Sequence, residues 1–174
     1  PVAFVSAAVH ASISGKVVDV LPCIVANGTQ VNSVVIDNDF QDTWVELHPV
    51  VDPENLNAKE LADLCREMGI VGMGGATFPT AVKLSAPEGK KVDTLVINGA
   101  ECEPYLSADH RLMLEKSEEI VQGIEIVRRA LSISAVKIGI ESNKPDAIEM
   151  MKKACDGHEG IEIVSLPARY PQGG

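Results

Sequence analysis

Four glycines fall within seven residues in the run GIVGMGGATFP, residues 69–79: Gly69, Gly72, Gly74 and Gly75. Glycines so spaced leave bare amides that can converge on an anion or a flat ring without a side-chain clash. Phe78, braced by Pro79, would hold a ring beside whatever the glycines contact, where it can stack on a ligand. Lys83 follows shortly and is placed to meet a phosphate or an electron-rich ring atom. A second run, NGAECEP at residues 98–104, closes an apolar β-like segment and sets Glu101 and Glu103 on either side of Cys102. Alternate residues of an extended segment face opposite sides. One glutamate is therefore expected to face the glycine loop and the other to point elsewhere, so the two need not form an acid–base pair. A carboxylate there would accept hydrogen bonds from hydroxyl or ring N–H groups, and Asn98 would bond either a ligand or its own backbone in a turn. The two runs read together as one site.

Simpler readings stand beside each of these. The glycines alone fit a structural turn at a crowded contact, Phe78 fits a core ring, Lys83 a solvated lysine, and the glutamates a polar surface. A dinucleotide fingerprint needs G-x-G-x-x-G between a strand and a helix. Here Thr77 stands where the third glycine belongs, and the run follows a helical pattern. No G-x-x-x-x-G-K-[ST] cradle is present either. His10, His48, His110 and His158 are scattered, and no serine or cysteine nucleophile has an evident partner, so hydrolysis is not indicated. Cys23, Cys65, Cys102 and Cys155 form no C-x-x-C pair. That spacing speaks against zinc or cluster ligation within the chain and for buried thiols in a reducing compartment.

Composition narrows the class further. Fifteen Lys and Arg against 25 Asp and Glu give a net charge of -10 over 174 residues, which argues against the basic face that nucleic acid requires. No apolar run approaches the ~20 residues of a membrane-spanning helix, and no leader-like segment opens the chain. An intracellular, soluble protein is expected.

The elements that must position these residues fall into two parts. Residues 1–51 alternate apolar and polar positions between turn signals at Ser14-Gly15, Asn27-Gly28 and Asp37-Asn38-Asp39. Strands over 16–25 and 31–37 should pair antiparallel across Asn27-Gly28. Two or three short strands make a poor core alone. The second part, residues 52–174, opens with a capping-box pattern at Asn57 and Glu60 and a helix over 57–68 that Gly69 ends. Thr80–Leu84 adds a short helical turn. The pattern then gives a strand over 94–97, one long helix over 109–131, a strand over 136–140, a helix over 144–155 and a strand over 161–166. Alternation of strands and helices implies a mainly parallel sheet, and NGAECEP then sits at a strand's carboxyl end, where open α/β sheets place ligands. The terminal ARYPQGG reads either as the start of another glycine loop or as a polar tail.

At these residues the sequence resembles the RnfC family of Rnf electron-transport subunits and the RnfC-like electron-transfer proteins of clostridial reductase systems. The likeness is carried by GIVGMGGATFPTAVKL, by VINGAECEP with Ala108 to Met113, by RYPQGG, and by VHASISGKV at residues 9–17. That family is in turn similar to the NADH-binding flavoprotein subunit of respiratory complex I. The resemblance implies a three-layer α/β domain like the complex I FMN-binding domain, preceded by a partial barrel-sandwich-like β module. It implies that Gly72, Gly74, Gly75, Lys83, Asn98, Glu101 and Gly173 contact FMN, with Phe78 and Glu103 on the NADH side. Hydride would pass from NADH to FMN, and single electrons would leave for iron–sulfur carriers, the protein supplying position and electronic tuning rather than acid–base catalysis.

Two positions depart from the complex I pattern: Thr77 replaces a common glycine, and Ala100 stands where an acidic residue is usual. They motivate the alternative of a flavin-free assembly or binding module that keeps the fold. The family continues past RYPQGG, with 4Fe-4S cysteines expected only beyond residue 174, so the chain is read as a truncated piece that is inactive alone and binds FMN weakly or not at all. Expected partners are NADH and other subunits of a redox complex, or a ferredoxin-like acceptor. Placement is expected to be cytoplasmic, peripheral on the inner face of the cell membrane through other subunits, with no span and no nucleic acid.

Overall fold

A computed structural model describes residues 3–50, 52–85 and 89–173. The chain divides into two compact units, one formed by Ala8–Val51 and the other by Asp52–Gly174 with Pro1–Ala7.

In the first unit β1 (Gly15–Ile24) pairs antiparallel with β2 (Gln30–Asn38). Gly28, at φ 80, turns the chain between them, and the Asn27 carboxamide accepts from the Thr29 amide at 3.0 Å. The register slips between Val17 and Asp19, a bulge that twists the ribbon. Val17, Val18, Val20 and Val34 all remain more than half exposed, so this unit is a ribbon with little core of its own.

The second unit carries the site. Helix α1 (Ala58–Glu67) begins with the capping box that its sequence announced: Asn57 Oδ1 accepts from the Lys59 and Glu60 amides, and Glu60 Oε2 accepts from the Asn57 amide. It ends in a Schellman turn. Ile70 N donates to Cys65 O and Gly69 N to Arg66 O, with Gly69 at φ 70. A short helix α2 (Thr80–Leu84) follows and buries Ala81 and Leu84.

Beyond it, β3 (Thr94–Gly99), β4 (Ala135–Glu141) and β5 (Ile161–Leu166) form a parallel sheet in the order β3-β4-β5. Helices α3 (Ala108–Glu115) and α4 (Ser117–Ala130) connect β3 to β4, and α5 (Pro145–Ala154) connects β4 to β5. Val136, Ile138 and Ile140 alternate onto one sheet face and pack with Val121, Ile124, Ala147 and Met151. Through Ala130, Ile126 and Val127, α4 also packs on α1 and α2. Three layers result: the sheet, the helices α3 to α5, and the α1–α2 pair.

The single helix expected over 109–131 is two. Lys116, at φ -135 and ψ 29, breaks it. Its amide closes α3 onto Leu112 O and its carbonyl opens α4 by accepting from Ile120 N. Met113 of α3 and Val121 of α4 reach the same core. Periodicity alone carried no mark of the break.

Candidate functional site

The Schellman turn at Gly69 sends the chain out of α1, and residues 70–80 return as a narrow hairpin. Gly72 N donates to Phe78 O at 2.8 Å, Thr80 N donates to Ile70 O at 3.0 Å, and Val71 bridges Pro79. The tip, Met73 to Thr77, is therefore pushed into solvent; Met73 is 95% exposed. A Cβ placed on Gly74 or Gly75 would meet nothing within 4 Å, and Gly75 has φ 111, a conformation closed to branched side chains. At Gly72 the surroundings differ: an added Cβ would lie 2.7 Å from Lys83 Nζ. The Lys83 ammonium thus folds back over the glycine backbone, carried there by α2, whose opposite side is fixed by Ala81 and Leu84. Among the described residues no carboxylate pairs with Lys83. Open backbone beside an ammonium is a set of donors suited to a phosphate. Phe78 is 41% exposed at the base of the hairpin.

Thr77 takes φ 49, and a β-branched residue in this left-handed region costs about 1–2 kcal/mol. Tyr105, in the loop beyond NGAECEP, takes φ 66 and is fully exposed.

At the second motif, β3 ends on Gly99, where a Cβ would sit 2.9 Å from Gly139 O and 3.3 Å from Met113 Sδ. Only glycine lets the strands approach this closely. Asn98 does two things at once: its Oδ1 accepts from Ala100 N at 3.1 Å, and its Nδ2 donates to Gly173 O at 2.9 Å. The terminal segment is in this way tied against the end of β3, with Gly173 so close to Ala100 O that a Cβ would stand 3.0 Å away.

Glu101 and Glu103 do separate, one buried and one exposed. Glu101 is 4% exposed at its side chain; Oε2 accepts from Lys144 Nζ at 2.8 Å and Oε1 from Asp109 N at 2.9 Å. Both oxygens are engaged. Glu103 is exposed, and its Oε2 accepts from Cys102 Sγ at 3.9 Å. Glu101 to Leu106, Glu141, Asn143, Lys144 and Ala168 to Tyr170 line a cleft of about 330 Å³ at the carboxyl ends of β4 and β5. Gly72, Gly74, Gly75, Phe78 and Lys83 do not line it, so the structure joins NGAECEP to the terminal segment while the glycine hairpin stands outside that cleft. A larger hollow, about 450 Å³, lies at the amino ends of the strands. Its arginines are already committed, Arg128 to Glu125 and Glu159 O, Arg129 to Glu54 and Glu125, so it offers no free cation.

Sequence reading missed Lys144 and Glu141. The signal lay in E-x-x-K across the corner from β4 into α5, which brings the two to 3.7 Å. Burial pushes the Glu101 carboxyl up, but the Lys144 ammonium and the Asp109 and His110 amides together bring it below its ordinary value. Glu125 behaves alike: burial raises it, and His158 and Arg128 more than offset that. Both groups release protons more readily folded than unfolded, so their stabilisation is present above about pH 4.5 and is lost as pH falls through their lowered folded values. Asp109, raised by burial and by the Glu101 charge, opposes them. Denaturant unfolding between pH 7 and 3 should show stability falling below about 4.5, and Glu101→Gln should flatten part of that fall; an unchanged profile would show that Glu101 does not carry it.

Comparison with known proteins bears on the family and the fold. A family model described as the Nuo51 FMN-binding domain matches residues 65–174, and one described as the RnfC barrel sandwich hybrid domain matches residues 1–41. The chain is 50% identical over 172 residues to a subunit of the proton-translocating ferredoxin:NAD(+) oxidoreductase complex of Clostridium ljungdahlii, covering 98% of this chain and 37% of that protein. It is 46% identical to the corresponding subunit of the Na(+)-translocating ferredoxin:NAD(+) oxidoreductase complex of Acetobacterium woodii, covering 99% and 39%. In solved structures, crystal structures of an NAD+-reducing [NiFe]-hydrogenase, air-oxidised and H2-reduced, share the fold at a TM-score of 0.54. They are 20% and 21% identical, over 66% and 73% of this chain and 21% and 24% of theirs.

Proposed function

The chain belongs to the RnfC family of electron-transport subunits, and we propose that in the whole protein residues 52–174 form the FMN- and NADH-binding part, preceded by a small β module over residues 1–51. The chain spans about two fifths of the length of these two curated relatives, so NADH, the iron–sulfur acceptors and the neighbouring subunits of a redox complex enter here as proposals. The observation that carries the reading is the open Gly74–Gly75 backbone with the Lys83 ammonium folded over Gly72. That donor set fits the phosphate of FMN. When bound, FMN would supply the exchange between a two-electron donor, NADH, and one-electron iron–sulfur carriers.

The chain's own residues bind and orient. The amides of Gly74 and Gly75 receive the anionic end, Gly72 leaves room for Lys83 beside it, and Lys83 neutralises the charge. Asn98 and Gly173, tied to each other, form a wall at the end of β3. Phe78 offers a ring on the NADH side, and Glu103 an exposed carboxylate that can accept from ribose hydroxyls. Glu101 serves by holding its loop, both oxygens being taken. Among the described residues no helix is long and apolar enough to cross a membrane, which suits attachment at the cytoplasmic face of the membrane through other subunits.

Anaerobic titration of the whole protein with NADH tests this: loss of flavin absorbance with one NADH per flavin is expected, and flavin that stays oxidised would refute it. A flavin-free module that keeps the fold is the second reading, favoured by the buried Ala100 methyl and the engaged Glu101; a whole protein purified without flavin and unable to bind it would establish that instead.

Gly72→Ala separates the cradle from the fold. Gly72 does not lie in the left-handed region, so alanine suits its backbone, and the methyl displaces only the flexible end of Lys83. FMN affinity should fall about 10- to 100-fold, the weight of a hydrogen bond to a charged group. The melting temperature should move by no more than about 2 °C. Equal losses of stability and affinity would show that Gly72 serves packing.

A further inference from the structure

Three ionisable side chains meet where β3 and β4 end, and all are at least nine-tenths buried: Glu101 and Glu141 are 4% exposed and Lys144 10%. Burying charges is costly unless each is paired and hydrogen-bonded, and well-packed apolar residues would hold such a corner at least as firmly. A purely structural corner therefore gives little reason for two carboxylates around one ammonium. The hydrogen bonds supply one. Glu141 Oε2 accepts from Glu101 N at 3.4 Å, and Glu101 Oε1 accepts from Asp109 N at 2.9 Å. The first amide stands two residues past the end of β3, and the second lies in the first turn of α3. Both ends of the loop are thus clamped on carboxylates that Lys144 holds in place, at 2.8 Å from Glu101 and 3.7 Å from Glu141. Between the clamps Glu103 and Tyr105 are exposed.

We infer that Lys144 is a positioning residue, fixing the loop from Glu101 to Asp109 through the two buried carboxylates so that Glu103 is presented to the cleft. The consequence for ligand binding rests on the proposed function; the clamp itself does not. Removing Lys144 leaves like charges facing each other in a buried corner, which repel and release the loop at both ends. The sheet beneath depends instead on Val136, Ile138 and Ile140 packing against α4 and α5.

Amide hydrogen exchange of the whole protein, without added FMN or NADH, tests the clamp. Lys144→Met should speed exchange across residues 101–109 at least about tenfold, most at the Asp109 amide, while the Ile138 and Ile140 amides of β4 keep their rates. Unchanged rates in the loop, or equal acceleration in β4, would overturn the inference. Should Lys144→Met not fold, Glu101→Gln decides by the same comparison. Its amide keeps one acceptor but no charge, and at least about threefold faster exchange confined to the loop is expected. In flavin-loaded protein, Glu101→Gln should raise the KM for NADH several-fold with kcat within about twofold, because a loosened loop costs binding before chemistry. A parent protein without flavin would sink the functional reading and leave the exchange result standing; normal flavin chemistry with unchanged loop exchange would sink the clamp alone.

Discussion

Gly75→Val in the whole protein should abolish retention of FMN, with affinity reduced at least about 100-fold. Gly75 sits at φ 111, where a β-branched side chain is excluded by contact with its own backbone. Valine must therefore move the segment into another backbone region, and the amides of Gly74 and Gly75 turn away together. The same substitution should hardly disturb the fold. Nothing lies within 4 Å of the Cβ position, and the tip is held only by the hairpin bonds below it, Gly72 N to Phe78 O and Thr80 N to Ile70 O. Flavin content of the purified variant, with its circular dichroism melt as control, reads both effects. A variant that keeps stoichiometric flavin would show that the ligand does not lie on this backbone.

Ile140→Ala should remove about 3–5 kcal/mol of stability from the α/β unit. Ile140 has no exposed surface, belongs to the central strand of the sheet and packs in the cluster that joins Val121 and Ile124 of α4 to Ala147 and Met151 of α5. Its neighbours come from rigid elements on several sides, so a cavity there collapses poorly. A domain of this size commonly has about 5–15 kcal/mol in total, so the variant should unfold at clearly lower denaturant concentration. Because Ile140 lines neither the glycine hairpin nor the cleft, flavin binding should weaken only in proportion to the unfolded fraction. A loss below about 1 kcal/mol would mean that the core lies elsewhere.

Much of this architecture could be read locally. Asn57 with Glu60 announces a capping box that forms bond for bond, Gly69 announces a left-handed helix end, and the alternation of Val136, Ile138 and Ile140 announces a strand buried on one face. Each depends on neighbours within a few positions. The break at Lys116 was not legible, because the residues around it are good helix formers and the apolar positions on either side, Met113 and Val121, keep one helical period. The Lys144–Glu101 pair joins residues 43 apart in the chain, which no local pattern encodes. The glycine motif was legible as backbone open to an anion; that Lys83 turns back over Gly72 became visible only once α2 had fixed its direction. The pairing of the two motifs in one site is the part that sequence stated most boldly. The structure gives NGAECEP a cleft that the glycine hairpin does not line, so that pairing stays a proposal which the flavin titrations decide.

The central claim is that the glycine hairpin with Lys83 holds the phosphate end of FMN. Titrating flavin-stripped whole protein and its Lys83→Met variant with FMN and with riboflavin, followed by flavin fluorescence, tests it most directly. The native protein should prefer FMN to riboflavin by at least about tenfold, and Lys83→Met should lose that preference by losing affinity for FMN alone. Equal binding of FMN by the two proteins would contradict the account.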